Sequence, residues 1–204
     1  MNFEDIKTRL LEVGMSYPEY VLATIDEIER TNIPTLSEEQ QKRFKYKPLN
    51  LKRSSRITNY YKINEKLKNI LEQVAEPQLW MVITESWCGD SAQNLPYIAA
   101  IAQVNPLISL KVLFRDSNPD IMDQYLTNGT RSIPKLIAFN EAGEELFRWG
   151  PRPNAAVKLI SQWKEDGLEK HEWIERLHLW YARNQGAEIE KEFIELIKKE
   201  IPAH

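Results

Sequence analysis

The sequence holds a single cysteine, Cys88, among 204 residues. That excludes an intramolecular disulfide framework, and with only His171, His178 and His204 beside it no Cys/His spacing for zinc exists. No metal site is expected. Long apolar runs are also missing: none approaches the roughly 20 residues that a membrane-spanning helix needs. The start, MNFEDIKTRLLEVGMSYPEY, mixes acids and bases where a secretory signal would need an unbroken apolar stretch. The expectation is a soluble, cytoplasmic protein with no membrane partner. Strong charge of either sign is absent too. A net charge of -3 and a pI near 5.8 give no overall pull toward nucleic acid, so no nucleic-acid partner is expected.

What is present suffices for one core with extensions, since 42% of the residues are hydrophobic. Three parts are expected: a helical extension over 1–56, an α/β domain over 57–166 and a second helical extension over 167–204. In the first part, Ile6, Leu10, Leu11 and Val13 suit a short amphipathic helix, and Tyr20, Val21, Ile25 and Ile28 repeat the pattern after Pro18. Ser37 and Gln40 form a capping-box pattern that opens a third helix, which Pro48 is expected to close. Residues 42–56 hold seven Lys or Arg with Phe44 and Tyr46 between them. Such a stretch suits a patch for phosphate or single-stranded nucleic acid, but the plainer interpretation, and the one expected, is a solvated helix face and linker.

The middle part alternates helix and strand patterns. Tyr60, Ile63, Leu67, Ile70, Leu71 and Val74 have helical spacing, and Leu79 to Thr84 is a short apolar run suited to a buried strand. A helix containing Pro96 follows, then a second strand in LISLKVLF, a helix from Pro119 that stops at Asn128-Gly129, and a third strand, KLIAF, after Pro134. NEAG at 140–143 is a hairpin signal, ELFRW an edge strand, and 154–165 a covering helix. Two strand-helix-strand crossovers predict parallel neighbours and the hairpin an antiparallel edge, giving a mixed sheet with helices on both faces. In the last part Trp173, Leu177, Trp180 and Tyr181 stripe one helix, Gly186 breaks it, and Ile189, Phe193, Leu196, Ile197 and Ile201 stripe another. These stripes are expected to pack on the core or on a second copy, so a homodimer is open.

Cys88 falls directly after a buried strand and at the start of a helix, where free N–H groups and the helix dipole favour a thiolate. This placement predicts a lowered thiol pKa, with Asp90 pulling the other way. Gly89 permits close backbone approach, and Trp87 offers an apolar lip. His171 and His178 lie seven apart on one helix face and are expected in surface or packing roles.

These residues carry a resemblance. WCGDSAQNLP resembles the active-site segment of thioredoxins, which run Trp-Cys-Gly-x-Cys with a proline in the following helix, here Pro96. RSIPKL, Arg131 to Leu136, resembles the thioredoxin loop whose proline follows a cis peptide bond and faces the cysteine, and VLFRDSNPDI resembles the strand segment between the two motifs. Together these span about residues 57–166 in the expected order. A narrower resemblance is to bacterial thioredoxin-like proteins with a Trp-Cys-Gly-Asp motif and helical extensions at both ends.

The resemblance implies a thioredoxin-like α/β fold, Cys88 as nucleophile, Ser91 as a hydroxyl or backbone donor to its thiolate, and Ile133 with Pro134 as the edge that pairs with a substrate. Trp87, Gly89 and Asp90 would flank the bound substrate. Ser91 stands where thioredoxins carry the resolving cysteine, and Val82 stands where they keep a buried aspartate. Glu85 is the nearest acid and is expected as a solvated loop residue. The implied activity is thiol-disulfide exchange on a disulfide- or thiol-containing protein or peptide by a monothiol Cys-Gly-Asp-Ser site. It needs no bound cofactor but an external thiol such as glutathione; the basic groups that would grip its carboxylates are not picked out by the sequence, Arg131 and Lys135 being merely near the proline loop. The alternatives are a non-catalytic binding module using the groove beside Pro134, and a thiol peroxidase that forms a sulfenic acid at Cys88.

Overall fold

The computed structural model describes residues 2–201, and the chain is helical up to the first strand. Helices α1 (Phe3–Val13) and α2 (Tyr17–Arg30) each open on a reciprocal capping box, Asn2 with Asp5 and Ser16 with Glu19. Ser37 and Gln40 do the same for α3 (Glu38–Phe44). Pro48 does not close a helix as expected: it lies in the first turn of α4 (Tyr46–Tyr60), where a missing N–H leaves no hydrogen bond unmade. The basic stretch 42–56 is therefore helix rather than linker. The helical pattern expected from Tyr60 to Val74 is broken, because Asn64 caps a separate helix, α5 (Glu65–Leu71), by accepting from the Leu67 N–H.

Four strands follow, β1 (Gln78–Thr84), β2 (Ile108–Phe114), β3 (Lys135–Asn140) and β4 (Glu145–Trp149), in the order β2-β1-β3-β4. Helix α6 (Gly89–Ala102) carries the chain from β1 to a parallel β2, with Val82 opposite Val112. The second connection departs from the expected parallel crossover. Helix α7 (Pro119–Met122) ends after one turn, too short to run back along the sheet, so the chain enters β3 antiparallel to β1 with Leu136 opposite Val82. A tight turn at 140–143 adds β4 as an antiparallel edge.

Alternation along β1 sends Trp80 and Val82 to one face of the sheet and Met81 and Ile83 to the other. On the second face α1 and α7 supply Ile6, Leu10, Ile121 and Met122. The first face is covered by α5, α6 and α10 (Ala187–Ile197). The result is the mixed sheet with helices on both faces that the strand pattern predicts.

The helix expected to cover the sheet forms as α8 (Asn154–Glu165) but packs elsewhere. Its Ala156 and Ile160 meet Leu177 and Tyr181 of α9 (Lys170–Asn184) in a separate apolar cluster. Helix α10 covers the sheet instead: Phe193, fully buried, has its ring centroid 5.7 Å from Trp80, 6.3 Å from Phe147 and 5.8 Å from Trp149. Gly186, at φ +90°, makes the turn into α10 beside Tyr97, whose ring a Cβ would approach to 2.5 Å.

Phe193→Ala is expected to cost about 3–5 kcal/mol, because it empties a site enclosed by three aromatic rings. Urea unfolding measures it. A loss below about 1 kcal/mol would mean that α10 contributes little to the core.

Candidate active site

The chain leaves β1 at Thr84, turns through Glu85, Ser86 and Trp87, and enters α6 with Cys88 as its N-cap residue. The Ile133–Pro134 peptide bond opposite is cis, and the Ile133 carbonyl accepts from the Cys88 sulfur at 3.4 Å. Trp87, Cys88 and Ile133 share one apolar cluster, and Pro134 is buried beside it. The Ser91 hydroxyl is buried and has no hydrogen-bond partner among the described residues.

Asp90 is almost enclosed by three polar partners. Arg152 reaches its carboxylate at 2.5 Å, and the Tyr181 hydroxyl donates to it at 3.0 Å. Asn94 Nδ2 donates both to the Asp90 backbone carbonyl, at 2.8 Å, and to the Tyr181 oxygen, at 3.0 Å. Burial still pushes the Asp90 carboxyl up, with Arg152 opposing.

The expected lowering of the Cys88 pKa is overturned. Burial and the Asp90 charge push the thiol up, outweighing the Ser91 side chain and the Asp90 and Ser91 backbone N–H groups, which act in the opposite sense. The helix start behaves as the sequence suggests, but Cys88 is only 9% exposed. Desolvation is the larger effect.

A family model described as thioredoxin matches residues 36–164. The chain belongs to the thioredoxin family. Its fold is similar to that of a protein of unknown function from Pseudomonas aeruginosa, with a TM-score of 0.59 and 19% identity over 93% of this chain and 95% of that one. It is similar as well to an HIV epitope scaffold, with a TM-score of 0.58 and 17% identity over 94% and 97% of the two chains. At these identities the likeness is one of fold, and its coverage takes in helices at both ends. No curated protein matches the sequence.

Around this thioredoxin-family site several side chains take positions that the sequence does not suggest. Trp87 is not a free lip: the Arg43 and Arg115 guanidinium centres lie 4.8 and 4.9 Å from its ring, and both arginines bond Asp116. His171 is exposed, but His178 stands over the start of α6, where a Cβ on Gly89 would lie 3.3 Å from its ring. Burial and Arg53 push the His178 pKa down to about 4, so the ring is neutral, and its Nδ1 is buried without a partner. Arg131 is held by Asp123 at 2.6 and 2.7 Å, and Lys135 is buried and donates to Thr127. Val82 is fully buried in the apolar core.

Glu85 is not the solvated loop acid that the sequence suggests. It is buried, accepts the Asp116 N–H at 2.8 Å, and burial pushes its carboxyl up to about 7. It borders a cavity of about 260 Å³ shared with Glu27, Lys47 and Trp87.

The raised Glu85 pKa fixes a direction for stability. As pH rises from 4.5 toward about 7, the unfolded chain releases this proton before the folded one, so stability falls and the loss is complete above about 7. Glu85→Gln keeps the acceptor for Asp116 without the charge. It is expected to be more stable than the native protein by about 2 kcal/mol near pH 8, with the difference gone near pH 4. Urea unfolding at the two pH values checks this; an equal difference at both would show that Glu85 titrates normally.

Proposed function

We propose that the protein is a monothiol thiol-disulfide oxidoreductase acting through a mixed disulfide at Cys88. The observation that supports it most directly is the sulfur's place at the N-terminus of α6, 3.4 Å from the Ile133 carbonyl, with the unpartnered Ser91 hydroxyl available to a thiolate. Cys88 loses its proton and attacks one sulfur of a disulfide in a protein or peptide, forming a new S–S bond while the other sulfur leaves as a thiolate. A low-molecular-weight thiolate such as glutathione then attacks the substrate sulfur of this adduct and frees the Cys88 thiolate, which takes back its proton. The net change is exchange of one disulfide for another. An internal second thiol is absent because position 91 is serine.

The raised thiol pKa makes the resting form protonated and slow. Asp90 contributes directly, since its carboxylate lies beside the developing charge, whereas Ser91 is the hydroxyl that stabilises it. The same burial supports a second reading, a binding module for a peptide or protein that uses the groove beside Pro134, with Cys88 as a packing residue.

Iodoacetamide alkylation across pH, with Cys88→Ala as the blank, separates the two. The native inflection is expected above the ~8.5 of a free thiol. Asp90→Asn is expected to bring it down by about one pH unit and to quicken alkylation about tenfold near pH 7, because the carboxylate is gone and Arg152 is left beside the sulfur. Reduction of a small disulfide by added glutathione should be lost in Cys88→Ala. A native protein that resists alkylation at every pH where it is folded, and shows no Cys88-dependent turnover, would favour the binding module.

A further inference from the structure

A cavity of about 610 Å³ opens beside the cysteine site, bordered by Arg53, Arg56, Lys62, Tyr61, Tyr97 and Tyr181. These belong to α4, the segment after it, α6 and α9. The cavity has the volume of an ordinary small-molecule site. Its wall carries three cations and no carboxylate.

Several arginines elsewhere are neutralised where they stand. Arg9, Arg43, Arg131, Arg148 and Arg152 each meet a carboxylate. Among the described residues neither Arg53, Arg56 nor Lys62 forms an ion pair. Arg53 is half-buried and makes one hydrogen bond, to Asn50 Oδ1 at 3.1 Å. Glu190 lies behind Tyr61 and is already engaged, taking the Tyr61 hydroxyl at 2.6 Å and the Asn64 N–H at 3.0 Å. It does not line the cavity.

The aromatic part of the wall has a shape of its own. Tyr61 and Tyr97 meet edge to face, with centroids 4.7 Å apart and planes at 84°. Tyr97 is packed into the core, so the ring surfaces open to the cavity are those of half-buried Tyr61 and exposed Tyr60, against which a flat ring can pack. A phosphate monoester carries close to two negative charges at neutral pH, and guanidinium groups bind its oxygens in pairs.

We propose that this cavity binds a small phosphate monoester bearing an aromatic ring, of up to mononucleotide size, with the phosphate on Arg53, Arg56 and Lys62 and the ring against Tyr60 and Tyr61. The site stands independently of any chemistry at Cys88. It adjoins that chemistry through Tyr181, which borders the cavity and donates to Asp90.

Calorimetric titration of the full chain tests it, using phenyl phosphate and adenosine monophosphate as probes with adenosine and inorganic phosphate as controls. Saturable binding of both probes is expected with Kd below about 1 mM, at least about tenfold tighter than either control. Arg56 and Lys62 are exposed, so Arg56→Gln with Lys62→Gln should leave the fold intact while weakening the probes about tenfold or more. Absence of saturation by about 10 mM, equal affinity for inorganic phosphate, or an unchanged Kd in the double variant would each overturn the proposal.

Discussion

Asp90 places a carboxylate out of water beside a thiol, and a buried charge is tolerated only with partners. Those partners come from far along the chain. Arg152 is supplied by the segment after β4, and Tyr181 by α9, 91 residues away in sequence. Asn94, one turn along α6, closes the ring by bonding both Tyr181 and the Asp90 backbone. Satisfying one acid on the active-site helix thus fixes where the chain beyond the sheet must pass. Once α9 lies over α6, the turn at Gly186 returns α10 to the sheet, where Phe193 fills the space between Trp80, Phe147 and Trp149.

The same acid sets the electrostatics of the site. The helix N-terminus and Ser91 favour a Cys88 thiolate, whereas burial and Asp90 oppose it, and the opposing pair is stronger. Arg152 opposes the effect of burial on Asp90, and against the pull of burial its own pKa is raised, chiefly by Asp90. Two neighbouring ionisable groups are shifted toward their neutral forms in the same way: His178 is pushed down to about 4 and Glu85 up to about 7, each chiefly by loss of water. Cys88 therefore sits among groups for which desolvation outweighs local charge.

The parts of this arrangement that were legible in the sequence are those encoded locally. The strand before Cys88, the helix after it and the proline loop are contiguous motifs whose order restricts the fold. The mixed sheet follows from alternation and a hairpin signal. What was not legible depends on long-range pairing. An arginine after Gly-Pro carries no mark that it will meet an aspartate across the fold, and Tyr181 reads as one more member of an aromatic stripe. The exchange of α8 for α10 as the covering helix has the same origin: both have apolar faces, and only tertiary packing decides which one reaches Trp80. Glu85 and residues 42–56 look solvated by composition, because charge in a sequence says nothing of a partner brought in from elsewhere.

Residues 42–56 show what the N-terminal helices do for the site. Arg43 lies over Trp87, Lys47 pairs with Glu27, Asn50 Nδ2 donates to the Ser86 carbonyl at 3.1 Å, and Ser54 donates to the Ala92 carbonyl at 3.3 Å. The last two contacts bind α4 to the loop and helix that carry Cys88, while Lys47 ties α4 to α2 and Arg43 belongs to α3. Residues of α4 and α9 also stand over the start of α6, where Arg53 and His178 are the neighbours of Gly89, while the apolar cluster around Cys88 itself is built from α1, the sheet, α7 and Ile133. Desolvation is the largest influence on the thiol, with the Asp90 charge next and the Ser91 side chain and the first backbone N–H groups of α6 opposing both, so the packing around the motif weighs more than the helix start.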